Sequence, residues 1–105
     1  MEPLLVLSTF PNSDTARQIA TALVEAQLAA CVNLCPAVQS IYRWQGQVES
    51  AEEVLAIIKT TRSAYAALEE RLKALHPYDV PEIIALPVER GLASYMKWVS
   101  ESVST

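Results

Sequence analysis

The sequence predicts an α+β domain with a ferredoxin-like fold, in which two split βαβ units form one sheet and a further helix follows. Hydrophobic periodicity changes in the order β, α, β, β, α, β, α along the 105 residues. A composition of 51% hydrophobic and 19% charged residues excludes a disordered chain, and the length suits one domain over residues 1–105. Right-handed crossovers on this order place the helices on one face of the sheet.

The first two elements are a buried strand and an amphipathic helix. Residues 4–9 form an apolar run that is too short for a helix, and the turn residues that close it include Asn12 and Ser13, which suit a helix N-terminus. Apolar side chains then recur at helical spacing, which predicts a helix over residues 13–27. Its apolar face contains Ala16, Ile19, Ala20, Leu23, Val24 and Leu28.

A long β-hairpin follows the first helix. Residues 31–44 alternate apolar and polar side chains, which predicts a second strand with a bulge at Pro36. The Gln-Gly pair that ends at Gly46 suits a tight turn, and residues 47–60 return as a third strand. The polar segment 49–53 is interpreted either as a bulge or as a local break in that strand.

The remaining elements are a helix, a short strand and a last helix. The second helix is predicted over residues 64–75 and ends before His76, because the proline that follows disfavours helical geometry. Residues 82–88 predict a short strand, and Pro87 favours a sheet edge or a strand end. Gly91 precedes a third helix, whose apolar stripe contains Leu92, Tyr95, Met96 and Val99.

Charge and residue counts exclude several classes of protein. Eight basic and twelve acidic residues give a net charge of -4, which disfavours binding to nucleic acid or to an anionic membrane. Two glycines exclude a dinucleotide fingerprint and a P-loop, and two cysteines exclude a four-cysteine zinc site. The N-terminus lacks the pattern of a signal peptide, and no uncharged stretch is suited to span a membrane. We therefore expect a cytoplasmic protein.

The predicted hairpin is longer than the helix that covers it. Each strand of about 14 residues extends roughly 45 Å at about 3.3 Å per residue, whereas the first helix covers only about 22 Å. The far end contains Ile41, Tyr42, Trp44 and Val48. Because a bare two-stranded ribbon is marginal in water, we expect an obligate homo-oligomer with Tyr42 and Trp44 in its interface. The alternative is a hairpin that folds back over its own sheet, or shorter strands.

The two cysteines do not form a local disulfide in this prediction. Cys31 and Cys35 lie four residues apart on one strand, which separates them by roughly 13 Å. Cysteines in an apolar strand usually pack as small hydrophobic residues, so both also have an ordinary structural explanation.

The segment from His76 to Glu82 places several polar groups in a short loop between prolines. His76 is the only imidazole of the chain, so one chain lacks the second histidine of a two-histidine metal site. We expect an ion pair between Lys59 and Glu82, because in this topology the two strand ends lie near each other. The structural alternative is that Tyr78 packs, Glu82 pairs with another cation and His76 is a solvated residue at a helix C-terminus.

Four strings together resemble the CutA divalent-ion tolerance family. They are LAACVN (residues 28–33), SIYRWQG (40–46), IIKTT (57–61) and HPYDVPEIIALP (76–87), and the match extends over nearly the whole chain. The resemblance implies a compact homotrimer of ferredoxin-like subunits, similar in architecture to the PII signalling proteins, with the hairpins intertwined around the threefold axis. The number three comes only from the resemblance.

The resemblance also implies a relation to metal ions. Cys31 and His76 match positions proposed as ligands in copper-binding relatives. Ser8 is a departure, because some bacterial relatives have a cysteine there, and its loss weakens a site for soft metals. Cys35 is not part of the family pattern and receives no role.

Three hypotheses of function remain open at this point. The first is a non-enzymatic trimer in the response to divalent metal ions, which binds Cu(II) or a similar ion weakly through His76 with a carboxylate or Cys31. The second is a PII-like regulatory module that binds a small molecule or a partner protein at clefts between subunits, through Lys59, Tyr78 and Glu82. The third is an enzyme that uses the loop from His76 to Glu82 for proton transfer.

Overall fold

The computed structural model describes residues 2–104 and confirms the α+β, ferredoxin-like fold. The elements are β1 (Pro3–Phe10), α1 (Ser13–Glu25), β2 (Cys31–Trp44), β3 (Gln47–Thr61), α2 (Tyr65–Leu75), β4 (Ile84–Pro87) and α3 (Ala93–Ser102). The four strands form one antiparallel sheet in the order β2-β3-β1-β4. Within residues 2–104, every helix is too short or too polar to cross a bilayer.

The two faces of the sheet are covered differently. One face packs against α1 and α2, and this core contains Val6, Phe10, Ile19, Leu23, Ala56, Ile58, Leu68 and Leu72. The alternate residues of the strands point to the other side, which we call the open face: Leu5, Leu7, Leu55, Ile57, Ile84 and Leu86. None of these six is fully buried. Tyr95 of α3 lies over Lys59 at one end of this face, whereas Ile84 and Leu86 at its edge are exposed.

The hairpin formed by β2 and β3 extends well beyond β1. The strand β1 pairs with β3 only as far as Val54, so the pairs from Val38 and Glu53 to Trp44 and Gln47 form a two-stranded ribbon, which we call the arm. Residues 41–50, which form the tip of the arm, are all exposed, including Ile41 and Trp44. The hairpin therefore does not fold back over its own sheet.

The irregularity of the hairpin lies in β2. The pairing register shifts between Cys35 and Val38, and Ala37 has a φ of 62°. This confirms the predicted bulge at Pro36. The segment 49–53 continues as regular strand, so the predicted break there is wrong. The tight turn is confirmed, with Gly46 at a φ of 82°.

Helix α1 and strand β4 end or begin two residues away from their predicted boundaries, whereas β1, β3 and α2 differ from theirs by one residue. Helix α1 begins at Ser13, directly after Asn12, whose side chain caps the helix by accepting a hydrogen bond from the Thr15 backbone N–H. It ends at Glu25 because Gln27 has a left-handed φ of 59°. Strand β4 has four residues rather than seven and lies at the sheet edge, as its proline predicts. It ends its pairing with β1 at Leu7, and the Thr9 carbonyl beyond that point accepts a hydrogen bond from the His76 ring instead.

Candidate functional site

The predicted site residues separate into two groups. His76 and Tyr78 lie beside the end of β1, where the arm leaves the sheet. Lys59 and Cys31 lie on the open face near the other end of β1. The structure therefore does not bring Lys59 and Tyr78 together within one chain.

His76 is a buried histidine with both ring nitrogens in hydrogen bonds. The Nε2 atom lies 2.8 Å from the Thr9 carbonyl oxygen, and Nδ1 lies 3.1 Å from the Tyr78 backbone nitrogen. A carbonyl only accepts and a backbone N–H only donates, so Nε2 holds the proton and the ring is neutral. The ring also stacks on Phe10 at 4.7 Å between centroids. With 8% of its surface exposed, His76 is not the solvated helix terminus of the structural alternative.

Burial lowers the pKa of His76 below its ordinary value of 6.5, against weaker opposing effects of the Thr9 carbonyl and Glu53. The unfolded chain therefore takes up a proton on this ring at a higher pH than the folded chain does. We expect the free energy of unfolding to be highest above about pH 7. It should fall as the pH drops through 6.5 toward the lower folded pKa.

Urea unfolding between pH 8 and pH 5 measures this dependence. Because His76 is the only histidine, the variant His76→Gln should remove most of the slope between pH 7 and pH 5.5 while still offering a donor to Thr9. An unchanged slope in that variant would contradict the assignment.

A buried carboxylate at the base of the arm accepts a hydrogen bond from Tyr78. The Tyr78 hydroxyl donates to Glu53 Oε2 at 2.7 Å, and Glu53 is 9% exposed. Burial of the Tyr78 hydroxyl is the main effect that raises its pKa above the ordinary value, and the Glu53 carboxylate raises it further. The sequence analysis did not single out Glu53. The available signal was its position immediately before the apolar run of β3, where the arm meets the sheet.

We expect Tyr78→Phe to lower the free energy of unfolding by about 1–3 kcal/mol, because it leaves the buried Glu53 carboxylate without its donor. The matched control is Tyr65→Phe, which removes a hydroxyl bonded to the exposed Glu69 and should change stability by less than about 0.5 kcal/mol. Equal losses in the two variants, measured by urea unfolding at pH 7, would contradict a special role for Tyr78.

The predicted ion pair between Lys59 and Glu82 is wrong within one chain. Lys59 lies opposite Leu5 on β1, whereas Glu82 precedes β4 and so lies beyond the Leu7 end of the same strand. Glu82 is exposed, and Lys59 Nζ instead donates to Asn33 Oδ1. Lys59 and Glu82 therefore lie toward opposite ends of β1 and are not neighbours in one chain.

Both cysteines are half-buried free thiols on β2. Cys31 is paired with Lys59 across the ladder and Cys35 with Leu55. The Cys31 Sγ atom lies 3.9 Å from Lys59 Nζ.

The residues of one chain do not fit a tight metal site. Within residues 2–104, no three histidine, cysteine or acidic side chains group together in a way that would hold an ion. Both nitrogens of His76 are already bonded, and Cys31 has an ammonium group beside its sulfur. A metal ligand set would therefore need groups from more than one chain.

Ser8 is fully buried on the helix-covered face of β1. Its hydroxyl is a buried polar side-chain group that lacks a hydrogen-bond partner within residues 2–104. An unsatisfied buried hydroxyl is destabilising. We expect Ser8→Ala to raise the free energy of unfolding by about 1 kcal/mol in urea unfolding. A loss of stability would show that the hydroxyl is bonded in the folded protein.

Comparisons with known proteins agree on one family. The family model described as CutA1 divalent ion tolerance protein matches residues 4–102. The chain is 54% identical over 98 residues to the divalent-cation tolerance protein CutA of Thermus thermophilus, covering 93% of this chain and 95% of that one. It is 52% identical over 99 residues to the protein CutA of Mus musculus, covering 91% of this chain and 56% of the relative. The chain thus spans little more than half the length of the mouse protein.

The solved structures of relatives share the fold. The CutA1 structure from Oryza sativa superposes with a TM-score of 0.96 at 41% identity, covering 99% of this chain and 95% of that one. Other relatives bear names with different compartments, chloroplastic for Arabidopsis thaliana and periplasmic for Archaeoglobus fulgidus. The cytoplasmic location stays a prediction from sequence. On the family match and these identities, the chain belongs to the CutA1 divalent ion tolerance family.

Proposed function

We propose that this chain acts as a non-enzymatic homotrimer in the cellular response to divalent metal ions, within the cytoplasm. The observation that supports the assembly is the arm, a two-stranded ribbon whose apolar side chains are left exposed by the rest of residues 2–104. Family membership supports the metal-ion role. The number of subunits rests on the resemblance in sequence.

The arm is an unfavourable structure for an isolated chain. Ile41 is 76% exposed and Val48 67%, with Tyr42 and Trp44 exposed beside them. Two-stranded ribbons are marginally stable in water, and exposed aromatic side chains at the tip are typical interface anchors. Another copy of the same chain can cover these side chains, because a closed symmetric assembly buries the same surface on every subunit.

The open face is a second surface that supports assembly. Ile84 and Leu86 of the edge strand β4 are 52% and 48% exposed, and they continue the apolar row formed by Leu5, Leu7 and Ile57. An uncovered apolar sheet face beside an unpaired edge strand favours association with other chains. Association through this face was not predicted from the sequence, in which the length of the hairpin and the family resemblance indicated an oligomer.

Weak binding of Cu(II) or a similar divalent ion through His76 and Cys31, with further ligands from neighbouring subunits, is part of the proposal. It requires His76 to release one of its two ring hydrogen bonds and Lys59 to move away from the Cys31 sulfur. Isothermal titration calorimetry of the assembled protein with Cu(II) and Zn(II) tests it. We expect saturable heat that is reduced in His76→Gln and in Cys31→Ser and retained in the matched control Cys35→Ser. The absence of saturable heat with either metal ion would contradict this part.

The second candidate is a PII-like module with a small-molecule or protein ligand at the clefts between subunits, using Lys59, Tyr78 and Glu82. It is favoured by the ammonium group of Lys59, which makes no ion pair within residues 2–104. Calorimetry with a panel of nucleotides separates the two candidates. Nucleotide heat without metal heat would favour the regulatory module, and turnover that His76→Gln abolishes would overturn the non-enzymatic assignment.

A further inference from the structure

A half-buried ammonium group without an acidic partner lies on the open face. Lys59 Nζ donates to Asn33 Oδ1 and lies 5.9 Å from the centroid of the Tyr95 ring. Its remaining contact is with the Cys31 sulfur, so all three neighbours are uncharged. Within residues 2–104, Lys59 makes no ion pair, although the chain has twelve acidic residues and only eight basic ones.

The position of this charge matters because the open face is the surface that assembly would cover. Lys59 lies on this face with Leu5 and Ile57. The inference rests on the proposed homotrimer, because assembly through the open face would remove water from these residues. Removing water from a charged group costs a large free energy unless the group gains an opposite charge as a partner. An anion beside Lys59 removes this penalty.

The groups around Lys59 indicate which anion suits the position. The Asn33 side-chain oxygen accepts from Lys59, so its NH₂ group is still free to donate, and this NH₂ group has no acceptor within residues 2–104. An ammonium and an amide NH₂ side by side offer donors to the two oxygens of one carboxylate. The Tyr95 ring lies beside the ammonium group and is itself in contact with the Trp98 ring, with 5.5 Å between the two centroids.

We propose that Lys59 and Asn33 bind a carboxylate at the interface of the assembled protein. Two sources offer the same chemistry: a small organic acid, or the side chain of Glu82 from a second copy of the chain. Glu82 is exposed and makes no ion pair within residues 2–104. The experiment therefore has one arm for each source.

The first arm measures thermal unfolding of the assembled protein in sodium succinate, compared with sodium chloride at equal ionic strength. If the carboxylate is a free acid, the melting temperature should rise with succinate concentration beyond the rise in chloride. Lys59→Met should abolish this response and Lys59→Arg should retain it. The matched control is Lys97→Met, since Lys97 is an exposed lysine that pairs with Glu101 on α3.

The second arm measures the dissociation constant of the assembly by sedimentation. If the carboxylate comes from a second copy, Glu82→Gln should weaken the assembly at least tenfold, and the charge exchange of Lys59→Glu with Glu82→Lys should recover most of that loss. Glu89→Gln, another exposed glutamate near β4, should have no effect.

A response in either arm supports the carboxylate site and identifies its source. The inference is overturned if succinate does not raise the melting temperature beyond chloride and Glu82→Gln does not weaken the assembly, whatever the effect of Lys59→Met. A monomeric unmodified protein would instead contradict the proposed homotrimer, so the two failures are distinguishable.

Discussion

Trp44→Ala is expected to weaken subunit association by about 2–4 kcal/mol per chain, as truncation of a buried aromatic anchor does. In the isolated chain Trp44 is 44% exposed at the tip of the arm, so its removal should cost little in the fold of one subunit. The physical reason for the large loss lies in the proposed assembly, in which a second chain would cover the ring. The melting temperature should therefore fall and become more strongly dependent on protein concentration.

The matched control for Trp44→Ala is Leu75→Ala. Leu75 is similarly exposed, at 42%, but it lies at the end of α2 on the helix-covered side of the sheet. We expect it to lower the melting temperature only slightly and to leave the dependence of that temperature on protein concentration unchanged. Melting of Trp44→Ala that is independent of protein concentration would count against an interface at the arm.

Phe10→Ala should lower the free energy of unfolding by about 3–5 kcal/mol, the usual range for removing a large aromatic ring from a core. Phe10 is 1% exposed, belongs to the main core cluster and stacks on His76. Its removal leaves a cavity and takes away the support of the buried imidazole. We expect the His76 ring to become more hydrated and its pKa to return toward the ordinary value.

Urea unfolding and the NMR titration of the His76 ring measure these two effects. The variant Phe10→Leu is the control, because it keeps most of the buried volume but offers no ring for stacking; its loss of stability should be about half or less. If Phe10→Ala unfolded at nearly the same urea concentration as the unmodified protein, the packing of His76 against this ring would not be important for stability.

The periodicity of the sequence was sufficient to predict the element order and the fold class. The alternation in β2 and the Gln-Gly turn at Gly46 are local signals, and local signals determine a hairpin. The bulge was also predictable, since Pro36 lacks a backbone donor and interrupts the ladder. The four-residue length of β4 was not, because the length of an edge strand depends on pairing with a strand that is distant in sequence; here the pairing with β1 ends at Leu7, and the Thr9 carbonyl accepts from the His76 ring.

The candidate site was less predictable because its partners are distant in sequence. The pairing of Tyr78 with Glu53 depends on how far β3 extends past β1, and the contact of Lys59 with Asn33 depends on the register of β2 against β3. The predicted Lys59 and Glu82 pair assumed that both charges lie at the same end of the sheet. The residue register places them toward opposite ends of β1, and only the folded structure shows that register.

The measurement that most directly tests the central proposal is sedimentation equilibrium of the unmodified protein at micromolar concentration. The proposed assembly predicts one species with three times the chain mass of 11.5 kDa. A stable, cooperatively folded species with the mass of one chain would contradict it, because the arm and the open face would then be stable in water without a second copy.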